Sequence, residues 1–307
     1  TDQGVGVNHA GAVQAQQLQI SADGKLINRG SIDSDQLELD AHSLDNHGRI
    51  SQGSGTLQVS AKTLDNAGSI RRNHVPENPK AQTGNDTAGT KTTAKSRGKD
   101  GHIRLKEGLD NRGQISSGSE LHLQVAENLN NRGQLDVGAL QVKDGETHNS
   151  GRIQAETASI RGNKLDNSGH FSASKHIDAA THEMDNSGVL MAPSLYLRGD
   201  SLNNSGQIIG TGSGSMQIWT ADWNNYGHVG NSAGGSAPDN SDTDGAQNKT
   251  ATRKQTGGSS AATTSSSDNS AGSSSLNFSH ITNSGSISQS GGVDLNVAGT
   301  FTNRGDM

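Results

Sequence analysis

Short stretches of alternating apolar and polar residues recur along the chain at a nearly constant interval. In 57–70, LQVSAKTLDNAGSI, Leu57 and Val59 flank a polar residue, which is the period-two pattern of a strand with one buried face. Leu64 returns to the buried face seven residues after Leu57, and Ile70 follows an Asn-x-Gly turn signal. The same seven-residue step links Leu37 to Leu44 and Ile177 to Met184, and it predicts a corner of constant length between two short strands.

The motif Asn-x-Gly-x-aliphatic marks the repeat. Its asparagine occurs at positions 28, 46, 66, 111, 131, 149, 167, 186, 204, 225 and 283, and a partial copy follows at 303. Most steps are 18–21 residues long, and two steps of 45 and 58 residues correspond to one repeat plus an insertion. A degenerate copy begins at Asn8, with Gly11 in place of the repeat glycine. A constant period near twenty residues is typical of a solenoid.

One repeat is too short to fold alone. Ordering its roughly 19 residues costs about 1–2 kcal/mol of backbone entropy per residue. Its few aliphatic side chains return only about 1.5–3 kcal/mol each. Stacking removes the deficit, because every strand then pairs with its counterpart one repeat away at about 4.8 Å. Since sequential parallel strands are joined by right-handed crossovers, the sequence predicts an all-β, right-handed parallel β-helix of about thirteen rungs, each with two or three strands of three to five residues.

The repeat asparagine and glycine are predicted to form a corner of each rung. Glycine adopts positive φ freely, and asparagine tolerates left-handed backbone or bonds locally to the chain. The structural turn residues expected from the best copies are Asn46, Gly48, Asn66, Gly68, Asn111, Gly113, Asn131, Gly133, Asn167, Gly169, Asn186, Gly188, Asn204 and Gly206.

Composition changes this picture little. Leu, Ile, Val and Phe make up about 17% of the chain, a fraction that by itself is typical of disorder. The formal net charge of −6 is small for 307 residues, however, and the aliphatic residues keep constant places in each repeat. The absence of cysteine excludes a disulfide framework and a thiolate metal site. No apolar run approaches the roughly 20 residues of a membrane helix, so no membrane span is predicted.

Two insertions interrupt the repeats. The chain therefore divides into rungs at 1–70, 101–229 and 276–307, a basic extruded loop at 71–100, and a Ser/Gly-rich disordered loop at 230–275. The first insertion carries seven Lys or Arg residues against three Asp or Glu. That charge suits an anionic glycan or lipid partner, and it equally suits a tolerated loop without a partner.

An L-x-[Val/Ile/Leu] strand followed by LDNxGxI resembles the haemagglutinin repeats of filamentous-haemagglutinin-like exoproteins. Leu37 and Leu39, followed by 44–50, LDNHGRI, are one copy. The resemblance implies a large protein exported by two-partner secretion in Gram-negative bacteria, with an outer-membrane transporter as partner and a location outside the cell or on its surface. Such proteins are adhesins or deliver a toxin in contact-dependent growth inhibition. Because the chain opens and closes within a repeat, we expect it to be part of a longer protein.

Five residues are candidates for binding. Arg198, Gly199 and Asp200 match the tripeptide of integrin ligands, although they occupy an ordinary position within a repeat. Tyr196 and Trp219 have the outward parity of their strands and could stack on a sugar of a host or bacterial cell-surface glycan. The alternatives are an adhesive surface and incidental exposure.

No catalytic, metal-binding or cofactor-binding residues are predicted. His182 and Glu183 begin like a zinc-protease motif, but Asn186 stands where its second histidine belongs. The sequence favours a mechanical shaft that projects a distal adhesive or toxin-delivery domain, with no enzymatic activity and no nucleic-acid partner. One alternative is a haemagglutinin module that itself binds host glycans or proteins. A glycan-active β-helical enzyme is a second alternative, and it would need acids converging on one groove.

Overall fold

The computed structural model describes residues 6–53, 55–72, 101–117, 121–212, 214–232, 274–289 and 293–307. Within them the chain consists of strands and turns, and every strand pairs in parallel with the strand one turn away. The predicted all-β parallel solenoid is thus confirmed. The two predicted insertions lie almost entirely outside the described residues.

The strands, in chain order, are β1 (Val7–His9), β2 (Ala12–Asn28), β3 (Ser31–Asn46), β4 (Arg49–Gln52), β5 (Leu57–Asn66), β6 (Ser69–Arg72), β7 (Gly101–Asn111), β8 (Gln114–Ser116), β9 (Leu121–Val125), β10 (Leu129–Asn131), β11 (Gln134–Val142), β12 (Glu146–Asn149), β13 (Arg152–Asn167), β14 (His170–Asn186), β15 (Val189–Ala192), β16 (Ser194–Asn204), β17 (Gln207–Thr211), β18 (Met216–Asn225), β19 (His228–Ser232), β20 (Ser274–Asn283), β21 (Ser286–Gln289), β22 (Val293–Val297) and β23 (Phe301–Asn303).

Each turn has three sides. Side one follows the Asn-x-Gly corner, side two carries the L-x-[Val/Ile/Leu] residues, and side three ends at the repeat asparagine. The expectation of separate strands of three to five residues is wrong, because β2 and β14 each run for 17 residues around the corners. Backbone pairing with the next turn continues through most bends, so a change of direction does not end the strand.

The solenoid has about eleven turns instead of the predicted thirteen. Counting Asn-x-Gly copies counts the boundaries between turns, and a stack has fewer turns than boundaries. At a spacing of about 4.8 Å per turn, the described stack is roughly 50 Å long.

The core is a set of buried columns that run along the stack. Side one contributes Ile32, Ile50, Ile70, Ile115, Leu135, Ile153, Phe171, Leu190, Ile208, Val229 and Ile287. Side three contributes Leu26, Leu44, Leu64, Leu109, Leu129, Thr147, Leu165, Met184, Leu202, Trp223 and Ile281. One residue from each turn fills each column, which is why few aliphatic residues suffice.

The repeat asparagines form a continuous hydrogen-bonded ladder inside the corner between sides three and one. In each of eleven steps the Nδ2 amide donates to Oδ1 of the asparagine in the next turn, at 2.7–2.8 Å. Asn131, for example, accepts from Asn111, donates to Asn149 and also donates to the carbonyl oxygen of Arg152 at 3.2 Å. Asn131 is completely buried, and these partners satisfy its amide.

The ladder also spans the two long insertions. Asn66 donates to Asn111, and Asn225 donates to Asn283, both at 2.7 Å. These distances equal those between asparagines 18 residues apart, such as Asn149 and Asn167. Inserted chain therefore leaves the register of the turns unchanged.

The first turn departs from the predicted motif. Register places His9, not Asn8, in the ladder column beside Asn28. His9 Nε2 lies 3.3 Å from the carbonyl oxygen of Ser31, the position that a ladder Nδ2 takes in other turns. Spacing to Asn28 suggested the wrong residue, because this turn is one residue shorter than assumed.

The repeat glycines are needed for a different reason from the one predicted. Positive φ occurs among the described glycines only at Gly145, Gly162 and Gly212, none of which belongs to the motif. A Cβ atom on Gly169 would instead overlap the carbonyl oxygen of Gly151 in the preceding turn. The Gly151 oxygen accepts a hydrogen bond from the N–H of His170 at 2.9 Å, and this bond prevents the two turns from separating to make room. Close approach of backbones requires glycine here.

The corner between sides two and three also differs from the prediction of constant length. Register aligns Leu39, turn by turn, with Ile177. The side-three core column is reached five residues on, at Leu44, in the early turn but seven residues on, at Met184, in the later one. In the early turns the seven-residue step to Leu44 starts at Leu37, one column before Leu39. In the later turn the seven-residue step to Met184 starts at Ile177, in the column of Leu39. Two equal spacings in the sequence thus start from different columns.

We predict that Asn131→Ala lowers the free energy of unfolding by about 2–5 kcal/mol, because it leaves a buried donor on Asn111 and strands the acceptor of Asn149. Asn130→Ala is the matched control, since Asn130 lies beside it outside the ladder and is partly exposed. Its effect should stay within about 0.5 kcal/mol. Denaturant unfolding measures both variants, and equal losses would contradict the role of the ladder.

We also predict that Gly169→Ala destabilises the protein by roughly 1–3 kcal/mol, because the added methyl group forces two turns apart. Gly11→Ala is the control, since a Cβ atom there meets no atom within 4 Å. Thermal melting compares the two. A melting temperature of Gly169→Ala that equals that of Gly11→Ala would refute close approach as the reason for glycine.

Candidate functional surface

The five predicted binding residues lie on neighbouring strands of one exposed face. Tyr196, Arg198, Gly199 and Asp200 belong to β16, and Trp219 lies on β18 in register with Arg198. The structure thus brings an aromatic ring, a guanidinium group and a carboxylate onto the outer surface of adjacent turns.

The arginine of the tripeptide is engaged by the preceding turn. Its guanidinium lies 3.4 Å from Asp178 Oδ1, and Arg161 binds Oδ2 of the same carboxylate at 2.5 Å. A Cβ atom on Gly199 would overlap the carbonyl oxygen of Thr181, so the strand lies flat against its neighbour. Arg198 is therefore one member of a surface cluster of two guanidinium groups around one carboxylate.

The aspartate of the tripeptide is also paired. Asp200 Oδ2 lies 2.8 Å from Nδ1 of His182, and both side chains remain about three-quarters exposed. Because Arg198 and Asp200 lie within a continuous strand, the tripeptide does not stand on a protruding loop. The geometry favours an ordinary place in a turn over presentation to an integrin.

The two candidate aromatic residues differ in exposure. The Tyr196 hydroxyl lies 3.1 Å from Ser215 Oγ, and its ring is half-buried. Trp219 is 45% exposed, as its outward parity predicts. Trp223 is buried and stacks on Phe278 with ring centroids 4.5 Å apart. Trp219 is thus the open ring of this face, and Trp223 belongs to the core.

The acids that precede the repeat asparagines form an outer column. Asp45, Asp65 and Asp110 stack in register, as do Asp166 and Asp185 farther along. Each of these acids lies near the end of a paired strand and on its outer side.

Cations from neighbouring turns compensate this stack of like charges. The ion pairs are Lys25–Asp45, Arg112–Asp65, Arg112–Asp110, Arg132–Asp110 and Lys164–Asp185. His148 Nδ1 lies 3.4 Å from Asp166 Oδ2.

Lys164 and Asp185 show the electrostatic balance most clearly. Partial burial raises the pKa of Asp185, but hydrogen bonds from Lys164 and Asn203, together with the charge of Lys164, outweigh it and leave the pKa below its ordinary value. The hydrogen bond to Asp185 in turn raises the pKa of Lys164. The acids thus hold turns together instead of converging on a groove. The described residues contain no group of three His, Asp or Glu side chains placed to hold a metal ion.

One feature was missed by sequence reasoning: a groove along the corner between sides two and three of the first six turns. Its cavity is about 500 Å³. Ala22, Ala41 and Ala61 form its floor in the early turns, followed by Leu105 and Val125. We call it the alanine groove. A small residue two places after the second strand aliphatic, as in Leu39-Asp40-Ala41, was the available signal.

No protein-family model, no curated protein and no solved structure matches the chain. Nothing in the described residues has the length and apolar character of a membrane-crossing helix.

The chain's two tryptophans allow a direct test of this surface. We predict that Trp223→Ala destabilises the protein by about 3–5 kcal/mol, because it leaves a cavity in a stacked column. Trp219→Ala should change stability by less than about 0.5 kcal/mol.

Acrylamide quenching tests exposure directly. The Trp219→Phe variant should retain a protected fluorophore, Trp223, and the Trp223→Phe variant should retain an accessible one, Trp219. Equal quenching would contradict the assignment of Trp219 as the open ring.

Proposed function

We propose that this chain is a structural shaft of a large secreted exoprotein, which holds a distal adhesive or toxin-delivery domain away from the bacterial surface. The continuous Asn ladder is the observation that carries the proposal. It links every turn from Asn28 to Asn303 through direct side-chain hydrogen bonds. A stack bonded at each step transmits position along its length without a hinge among the described turns.

The core and the outer charges support the same role. The buried aliphatic columns form one cluster along the described turns. The ion pairs of the aspartate column mostly join residues of different turns, for example Lys25 with Asp45 and Arg112 with Asp65. Both sets of contacts resist separation of the turns. They do not assemble a concentrated reactive site.

The family context is part of the proposal. The repeat resembles that of filamentous-haemagglutinin-like exoproteins, and on that basis we propose two-partner secretion through an outer-membrane transporter and a location outside the cell. The whole protein would then act in adhesion or in contact-dependent growth inhibition, through domains other than these turns.

An adhesive module is the second candidate. Exposed Trp219 beside the Arg161, Asp178 and Arg198 cluster favours it, because an open ring flanked by hydrogen-bonding groups suits a sugar. Enzymatic action on glycans has less support, since the outer acids described above are engaged in ion pairs between turns.

The shaft proposal predicts that deleting or duplicating a whole turn changes the length of the solenoid by one turn spacing. Deleting 150–167 removes one 18-residue turn and leaves Asn149 followed by the next Ser-Gly corner. We expect the protein to stay folded and to shorten by about 4.8 Å, and tandem duplication of 150–167 should lengthen it equally. Because the chain lacks cysteine, dyes on Ala10→Cys and Met307→Cys report the end-to-end distance by energy transfer.

Deleting 150–158 is the matched control, since half a turn breaks the ladder and should unfold the neighbouring strands. An unchanged distance in the whole-turn variants would refute the shaft.

A cell-binding assay distinguishes the adhesive module from the shaft. Saturable binding of fluorescent 1–307 to epithelial or bacterial cells, lost in Trp219→Ala or on deletion of 73–100 or 233–273, would replace the shaft with an adhesive module.

A further inference from the structure

The alanine groove carries an inference that goes beyond the shaft. It lies at the corner between sides two and three, the same corner that carries Arg198 and Trp219 farther along the stack. Register aligns Ala61 with Leu105, and Leu105 with Val125. Successive turns therefore line the groove at about 4.8 Å intervals, parallel to the long axis. Its cavity of about 500 Å³ lies within the range of ligand sites.

The rim of the groove concentrates cations. Lys62, Arg104, Lys106 and Lys143 line it over four successive turns. Lys62 lies 3.7 Å from Glu107, a long ion pair. Arg104, Lys106 and Lys143 form no ion pair or hydrogen bond with any described side chain and are exposed. They differ in this respect from the cations of the aspartate column, so their charges are available to a ligand.

The opposite end of the groove is acidic. Asp23 and Asp40 line its first two turns, and both are exposed. An anionic ligand is attracted to the half between Lys62 and Lys143 and repelled from the half that contains Asp23. The cationic half from Lys62 to Lys143 thus spans about three turn spacings, or roughly 14 Å.

The shape of the groove selects among anionic polymers. An extended peptide has no free strand edge to pair with in the cationic half, since β5, β7 and β9 are each paired on both sides there. A single-stranded nucleic acid needs a series of aromatic stacking platforms, and this groove has no Phe, Tyr or Trp and only one imidazole, His42, at its acidic end. A polysaccharide presents repeating rings whose C–H faces suit a row of methyl groups and whose acid groups suit the rim.

We propose that the alanine groove binds a linear anionic polysaccharide, with its sugar rings over the floor of Ala61, Leu105 and Val125. Arg104, Lys106 and Lys143 bind the carboxylate or sulfate groups of successive sugars. Asp23 and Asp40 repel the anionic groups of the polysaccharide and so limit the site at that end. Binding along the axis leaves the ladder and the core untouched.

The experiment is a fluorescence anisotropy titration of a labelled oligogalacturonide with residues 1–307, at low salt and at about 0.15 M salt. A sulfated oligosaccharide, a neutral oligoglucan and a single-stranded oligothymidine of equal length complete the probes. The triple variant Arg104→Gln, Lys106→Gln and Lys143→Gln should weaken binding by at least about tenfold. Its matched control carries the same change of net charge at a different corner: Arg29→Gln, Arg152→Gln and Arg304→Gln.

The control should bind within about twofold of the unaltered protein. Asp23→Asn with Asp40→Asn should tighten binding, because the cationic half then extends into the first turns. This pair keeps the test decisive if the triple variant fails to melt like the parent. Binding of the sulfated probe in place of the uronate identifies sulfate as the recognised group and supports the groove.

Three results overturn the proposal. The first is that neither anionic saccharide binds. The second is that the groove variant and its control lose affinity equally, which indicates only general charge attraction. The third is that oligothymidine binds as tightly as the saccharides, which assigns the groove to a nucleic acid.

Discussion

A buried primary amide constrains this structure more than any other group. An asparagine side chain removed from water must find an acceptor for its N–H groups and a donor for its oxygen, or it costs stability. A second asparagine one turn away supplies both, and Asn131 between Asn111 and Asn149 shows the arrangement. Meeting this condition at every step gives all neighbouring turns the same spacing and the same register.

The other regularities follow from that register. Once the asparagines are stacked, the residue two places before each one falls into a single buried column, from Leu26 to Ile281. The residue two places after it is brought so close to the preceding turn that only glycine fits, as at Gly169. The residue immediately before it faces outward, where Asp45 and Asp65 repel each other unless cations such as Lys25 and Arg112 intervene.

The sequence was sufficient for features that depend on one repeat at a time. The alternation of Leu57 and Val59 predicted a buried side, and the outward parity of Trp219 predicted its exposure. Features that depend on contact between turns were not accessible in this way. The place of His9 in the ladder and the reason for glycine follow from which atoms meet across about 4.8 Å, between residues distant in the chain.

The candidate surfaces show the same division. The tripeptide at 198–200 was visible as a string, but its engagement by Asp178 and His182 of the preceding turn was not. The alanine groove is built from residues of several turns, from Ala22 to Lys143. Its early turns use a shorter corner than the later ones, a difference that equal spacings in the sequence concealed.

The ladder amides all point in the same direction. Every Nδ2 donates toward the turn that follows and every Oδ1 faces the turn that precedes, from Asn28 to Asn303. Like peptide groups in a helix, these aligned dipoles make the two ends of the stack chemically unlike. One end offers acceptors and the other offers donors. Two such stacks can therefore continue each other head to tail but not head to head, so the molecule is a directional object whatever its length.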